Sequence, residues 1–182
     1  IVRSAESKVV STMTMAAMDD WENKREELMQ VADKGGLSDM GEQALNALII
    51  TSEDQNDLPT LYDAGNKLIK SFPKSTHAKN TLGILINTSV KIGQLRLVAD
   101  YMEQFAQRYP KDHNSADFLM QAARIREGMG QYTRANQDYQ RLIAHGRLPA
   151  EQLDEVVFAM ADNMQQIGNK DAALRTMRTY LG

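Results

Sequence analysis

The chain holds three histidines, His77, His113 and His145, and no cysteine. Imidazoles and thiolates are the side chains that most readily ligate transition metals or act as bases and nucleophiles near neutral pH. Without cysteine there is no disulfide, no thiolate metal site and no cysteine nucleophile. A histidine metal centre would need the three rings to converge, yet two of them follow prolines in separate turns, Pro73 to His77 and Pro110 to His113. All three read as solvated or capping residues. Gly128-Met129-Gly130 lacks the lysine and hydroxyl of a phosphate-binding loop and reads as the end of a helix. Ser115-Ala116-Asp117 reads as a helix start, with the serine as a cap. Carboxylate pairs such as Asp19-Asp20 and Glu26-Glu27 lie among other charges and read as solvated faces. No catalytic residue, metal ligand or cofactor is assigned, and a non-enzymatic protein is expected.

The elements that carry these residues follow from composition. The 182 residues are 42% hydrophobic and 25% charged, enough to bury a core. Ala, Leu, Met, Gln, Glu, Lys and Arg dominate, and these favour helix. The eleven methionines read as core filler, because Met adapts to irregular gaps. The net charge is −3, from 21 basic and 24 acidic residues, with no basic stripe of the kind that binds nucleic acid or an anionic membrane surface. Apolar runs such as Leu82 to Ile86, broken by Gly83, are far too short to span a bilayer, so no membrane insertion is expected. Beginning at Ile1, the sequence reads as a mature or excised stretch.

Within this composition a period appears. Gly93, Gly130 and Gly168 are spaced by 37 and 38 residues. Each follows an apolar triplet at common offsets: Leu82, Leu85 and Ile86; Leu119, Ala122 and Ala123; Val157, Met160 and Ala161. Each precedes a second stripe: Leu95, Val98 and Met102; Tyr132, Ala135 and Tyr139; Lys170, Ala173 and Met177. Apolar positions at i, i+3 and i+4 make one face of a helix, and glycine supplies the left-handed residue that ends it. Phe72-Pro73-Lys74-Ser75 and Tyr109-Pro110-Lys111-Asp112 close two of the units, where proline stops a helix and Ser75 or Asn114 caps the next. Counting back from Pro73 gives a further unit, with Leu45, Leu48 and Ile49 in its first helix and Leu58, Leu61 and Leu68 in its second. Its turn at Asp54 to Asp57 has no glycine. A hairpin of this kind buries its faces only by stacking on its neighbours.

This pattern resembles the tetratricopeptide repeat from about Glu42 to Gly182, by spacing more than by identity. The family's tryptophan is replaced by Leu45, Leu82, Leu119 and Val157, and the tyrosine of its first helix by Ser89, Arg126 and Met164. The resemblance implies an all-α, right-handed α-solenoid of stacked antiparallel helical hairpins. Its four units cover about 42–75, 79–112, 116–149 and 154–182, within a repeat region of 37–182. Small residues such as Ala123 and Ala161 are expected at the closest helix approach. Residues 1–36 fit less well and read as one capping helix or a degenerate hairpin containing Trp21, Leu28 and Val31, with Gly35-Gly36 as its stop. The longer repeat is similar to those of bacterial cell-envelope scaffolds, which implies the envelope or periplasm ahead of the cytoplasm.

The resemblance also implies a binding surface. In the family the concave face is lined by positions 2, 5, 9 and 12 of each first helix. Here these supply Gln43, Asn46, Ile50 and Glu53; Asn80, Gly83, Asn87 and Val90; Asp117, Met120, Arg124 and Glu127; and Glu155, Phe158, Asp162 and Gln165. The partner-binding set expected from them is Asn46, Asn80, Asn87, Met120, Arg124, Glu127, Phe158 and Asp162. Asn87 and Arg124 match fragments of the family's two-carboxylate clamp, but its other basic residues are absent. Arg124 has Asp117, Glu127 and Asp162 as competing intramolecular partners, and an adjoining helix is a competing cover for Phe158. The implied function is a scaffold for a protein or peptide partner. The alternative is a structural segment of a longer solenoid or a self-associating module, and so a homo-oligomer or part of a larger chain.

Overall fold

The computed structural model describes residues 20–146 and 148–181. Among these residues every regular element is a helix. We label α1 (residues 20–35), α2 (Asp39–Asp54), α3 (Leu58–Ser71), α4 (Thr76–Lys91), α5 (Leu95–Arg108), α6 (Ser115–Gly128), α7 (Tyr132–Ala144), α8 (Ala150–Gln166) and α9 (Lys170–Leu181). The fold is an all-α solenoid of helical hairpins: α2 packs on α3, α6 on α7 and α8 on α9, and successive hairpins meet through α5 with α6 and α7 with α8. The chain divides into two compact units, residues 1–81 and 82–182, with the division inside α4. Residues 1–19 of the expected capping helix or degenerate hairpin lie outside the described residues. Residues 20–35 are helical without a break.

The turns explain why the hairpins recur. Gly93, Gly130 and Gly168 have φ of 70°, 70° and 79°, a left-handed conformation that side chains resist. In each, the next residue's N–H reaches back over the helix end: Gln94 to the Ser89 carbonyl at 2.9 Å, Gln131 to Arg126 at 2.8 Å and Asn169 to Met164 at 2.8 Å. That is the helix-ending motif with a 6→1 bond. The turn without glycine has the same form. Asn56, the only described non-glycine residue with positive φ, stands at φ 55°, and Asp57 N–H reaches the Ser52 carbonyl at 2.9 Å. Asparagine is among the few residues that tolerate this conformation. At the other ends of two hairpins, Phe72 and Tyr109 stop their helices with matching dihedrals, φ −125° and −123°, immediately before the prolines. The expected cap at Asn114 is not formed. Its own N–H donates to Asp112 Oδ1 at 2.9 Å, so the aspartate organises that turn.

In the N-terminal unit, Trp21, Arg25, Leu28 and Ala32 turn one face of α1 inward. The Trp21 indole and Arg25 both donate to Asp57 Oδ2, at 3.1 and 3.3 Å. Asp57 also caps α3, its Oδ1 accepting from Thr60 N–H at 3.2 Å and its Oδ2 from the Thr60 hydroxyl at 2.8 Å. One carboxylate therefore joins α1 to the α2–α3 turn. Where α1 meets α2 the backbones touch. A Cβ on Gly35 would stand 2.5 Å from Gly41 N, and one on Gly41 would stand 2.3 Å from the Gly36 carbonyl oxygen.

In the C-terminal unit the core gathers Leu119 and Ala123 of α6, Tyr139 and Leu142 of α7, and Val156 and Met160 of α8, with Ala106 of α5. Phe105 adds an edge-on contact to Phe118 at 5.0 Å between ring centres. Ala123 and Ala161 are buried. Interiors at this density respond to single methylenes, so Ala123→Leu and Ala161→Leu are each expected to lower stability by roughly 1–3 kcal/mol through overpacking. Thermal melts check this; unchanged midpoints for both would show that the repeat register assigned here is misplaced.

Candidate functional site

The expected binding residues fall in both units. Asn46 and Asn80 belong to the N-terminal unit, Asn46 half-buried and Asn80 exposed; Asn87, Met120, Arg124, Glu127, Phe158 and Asp162 belong to the C-terminal unit. Asn87, Arg124, Phe158 and Asp162 are exposed, while Met120 is half-buried and packs on the core. The ion partner of Arg124 is none of the three acids weighed from sequence, Asp117, Glu127 and Asp162. Its guanidinium meets Glu155 of α8 at 2.6 Å, a residue 31 positions away that only the packing of α6 near α8 brings within reach. Phe158 lies three residues after Glu155, on the same face of α8, with 54% of its surface exposed. No adjoining helix covers it among the described residues.

Glu127 is used inside the fold. Its Oε2 accepts from the Tyr139 hydroxyl at 3.0 Å and its Oε1 from the Asn163 amide at 2.7 Å. Asn163 also donates to Asn136 Oδ1 at 2.9 Å, and Asn136 donates to the Met160 carbonyl at 3.1 Å. This chain ties α6, α7 and α8 together with buried amides, whose loss of water is costly unless fully paired. Burial first, then the charge of Glu127, pushes the Tyr139 phenol well above its usual range. It stays a neutral donor.

A larger polar cluster lies between α5, α6 and α7, and sequence reasoning missed it. Arg126 is completely buried. It donates to Glu103 Oε1 at 2.6 Å, to Gln131 Oε1 at 3.0 Å and to Asp100. Arg134 closes the cluster from the surface, at 3.0 Å from Asp100 and 2.8 Å from Glu103. Asp138 is also buried; Arg141 reaches its Oδ1 at 3.3 Å, and its Oδ2 has no donor among the described residues. Burial, then the charge and hydrogen bond of Glu103, push the Asp138 carboxyl up to about 7, against the pull of Arg141 and Arg126. The signal available in sequence was the Asp100/Glu103 pair one turn apart on α5, but its cation is 23 or more residues away.

His145 corrects another expectation. It is not solvated: both ring nitrogens are buried and lack hydrogen-bond partners among the described residues. It lines a cavity of about 340 Å³ with Gln107, Pro110 and Arg141. His113 is exposed, 3.5 Å from Asp112. Among the described residues no three metal-binding side chains converge, and no helix is long and apolar enough to cross a membrane.

No family model matches the chain. No curated protein matches it either. Solved structures do resemble it in shape. A structure of MamA designated AMB-1 is 13% identical, with a TM-score of 0.44, over 87% of this chain and 88% of that one. A second MamA structure is 16% identical, with a TM-score of 0.43, over 88% and 91%. A likeness this distant carries nothing about function. The solenoid assignment rests on the hairpins and their turns.

Proposed function

We propose that this chain is a non-enzymatic scaffold that holds an extended peptide or a helix of a protein partner against the first helices of its hairpins. The observation that carries this reading is the exposed Phe158 beside the Arg124–Glu155 pair. An uncovered aromatic next to a guanidinium is the kind of pair that anchors protein interfaces. Phe158 offers an apolar anchor, Arg124 exchanges Glu155 for a partner carboxylate, and the amide of Asn87, in the same unit, suits a peptide backbone. Glu127, held inward, stiffens the surface. Asp162 adds a negative charge one turn from Phe158. Nucleic acid is not an expected ligand, given the net charge of −3. The repeat length suggests the bacterial cell envelope as the compartment.

Arg124→Ala and Phe158→Ala are each expected to weaken the native partner by about 1 kcal/mol or more, with little change in melting temperature, since both side chains are exposed. Quantitative pull-downs with the parent and the two variants measure this. A partner retained equally by all three chains would refute the groove assignment.

A further inference from the structure

The step of 37 residues that relates Pro73 to Pro110 also relates Ile69 to Ala106 and Leu82 to Leu119. Ile69 and Ala106 are both buried, but alanine lacks three of the isoleucine carbons. Beside Ala106 a cavity of about 340 Å³ opens, with Leu119 of α6 and Ala144 of α7 among its walls. That volume falls in the range of small-ligand sites, about 300–1000 Å³. Every lining residue belongs to α5, α6, α7 or the turns beside them. The cavity therefore lies within the run of helices and not at either end of it.

Its polar lining is rich in donors. Gln107 is exposed and has no partner among the described residues. Arg141 gives one of its five N–H groups to Asp138 at 3.3 Å, and 51% of its side chain is exposed. His145 forms a wall, with both ring nitrogens buried and unpartnered among the described residues. Buried unpaired nitrogens are costly, and a turn of the ring toward an entering acceptor removes that cost. No lining residue is acidic. Lys111, exposed on the turn after Pro110, adds positive charge, while Asp112 beside it accepts from the Asn114 N–H at 2.9 Å.

We propose that this cavity binds a small monocarboxylic acid, its apolar body on Ala106, Leu119 and Ala144 and its carboxylate held by Gln107, Arg141 and the His145 ring. An amine would meet a guanidinium and no carboxylate, and a neutral apolar molecule would leave the donors unused. The site shares no residue with the groove, so each reading stands or falls without the other.

The probe is 3-phenylpropionate, titrated against the whole chain at neutral pH and followed by the amide NMR signals of residues 105–108 and 142–146. The uncharged control is 3-phenylpropanol. Saturable shifts confined to those segments are expected, with a dissociation constant on the order of 1 mM or tighter. The alcohol should bind at least about fivefold more weakly. Gln107→Leu should weaken the acid about threefold or more and leave the melting temperature unchanged. Ala106→Ile puts at 106 the residue type found at 69 and fills the space. It should abolish saturation and raise the melting temperature by about 2–4 °C. The inference is overturned if the acid does not saturate, if the alcohol binds as tightly, or if Gln107→Leu binds like the parent. It is also overturned if Ala106→Ile binds like the parent or melts lower, since the room would then not be there.

Discussion

Replacing Arg126 with alanine is expected to cost the C-terminal unit about 3–5 kcal/mol, because removing one partner of a buried ion pair strands the others. Arg126 is fully buried and serves Glu103, Gln131 and Asp100. Without it, the only cation paired with Asp100 and Glu103 among the described residues is Arg134, which approaches from the surface with 44% of its side chain exposed. Arg126→Lys should recover little of the loss. One ammonium cannot span three acceptors in the fixed fork geometry of a guanidinium. Urea unfolding followed by circular dichroism measures the difference. A change below about 1 kcal/mol, the scale of an exposed pair, would mean that the cluster is dispensable.

Asp138→Asn is expected to remove most of the alkaline weakening of that unit. The Asp138 carboxyl sits at about 7 in the fold, well above the 3.8 of an exposed aspartate. Between those values the unfolded chain releases a proton that the folded one keeps, so stability falls as pH rises. The whole benefit is present below about pH 4 and is gone once pH passes about 7. From pH 5 to pH 8 the loss is on the order of 2–3 kcal/mol. An asparagine can donate to Glu103 as the protonated carboxyl does, and it does not titrate. The variant should match the parent near pH 5 and exceed it near pH 8 in denaturant midpoint. Equal slopes for parent and variant across that range would exclude Asp138 as the source. Asp57 in the N-terminal unit has the opposite sign. Burial opposes its charge, but the hydrogen bonds from Thr60, Trp21 and Arg25 prevail and hold its carboxyl below the usual range. Its contribution is lost as pH falls below about 4.

The fold was legible in the sequence wherever a local rule sufficed. Gly93, Gly130 and Gly168 marked their turns because helix termination needs one left-handed residue, and that need is met within six residues of chain. The turn at Asn56 was placed by counting, although its residue type gave a weaker signal. Side-chain partnerships were not legible. Arg126 and Glu127 are adjacent in sequence and both charged, and nothing local says that both point inward. Their partners Asp100, Glu103 and Asn163 become neighbours only when hairpins stack, and Tyr139 only when α7 folds back on α6. Arg124 likewise pairs across helices with Glu155, not with Asp117, Glu127 or Asp162. Asn80, Asn87, Arg124, Phe158 and Asp162, the exposed members of the expected set, are where the repeat register puts outward residues, and register was the part that spacing could set.

The meeting of Gly35 with Gly41 bears on how this chain can be recombined. In the described core of the C-terminal unit the hairpins join through side chains such as Leu119, Tyr139, Val156 and Met160, so a misfit at one position has a neighbour that can shrink to relieve it. At this crossing the obstacle to any side chain is peptide backbone, with Gly41 N and Cα at 2.5 and 2.7 Å from a Cβ on Gly35. No second substitution removes a main-chain atom. A graft that keeps α1 and exchanges α2 must therefore carry glycine at position 41, and one that exchanges α1 must bring glycine at 35. Of the junctions described, this one admits no compensating change, and it sets where the repeat array stops being modular.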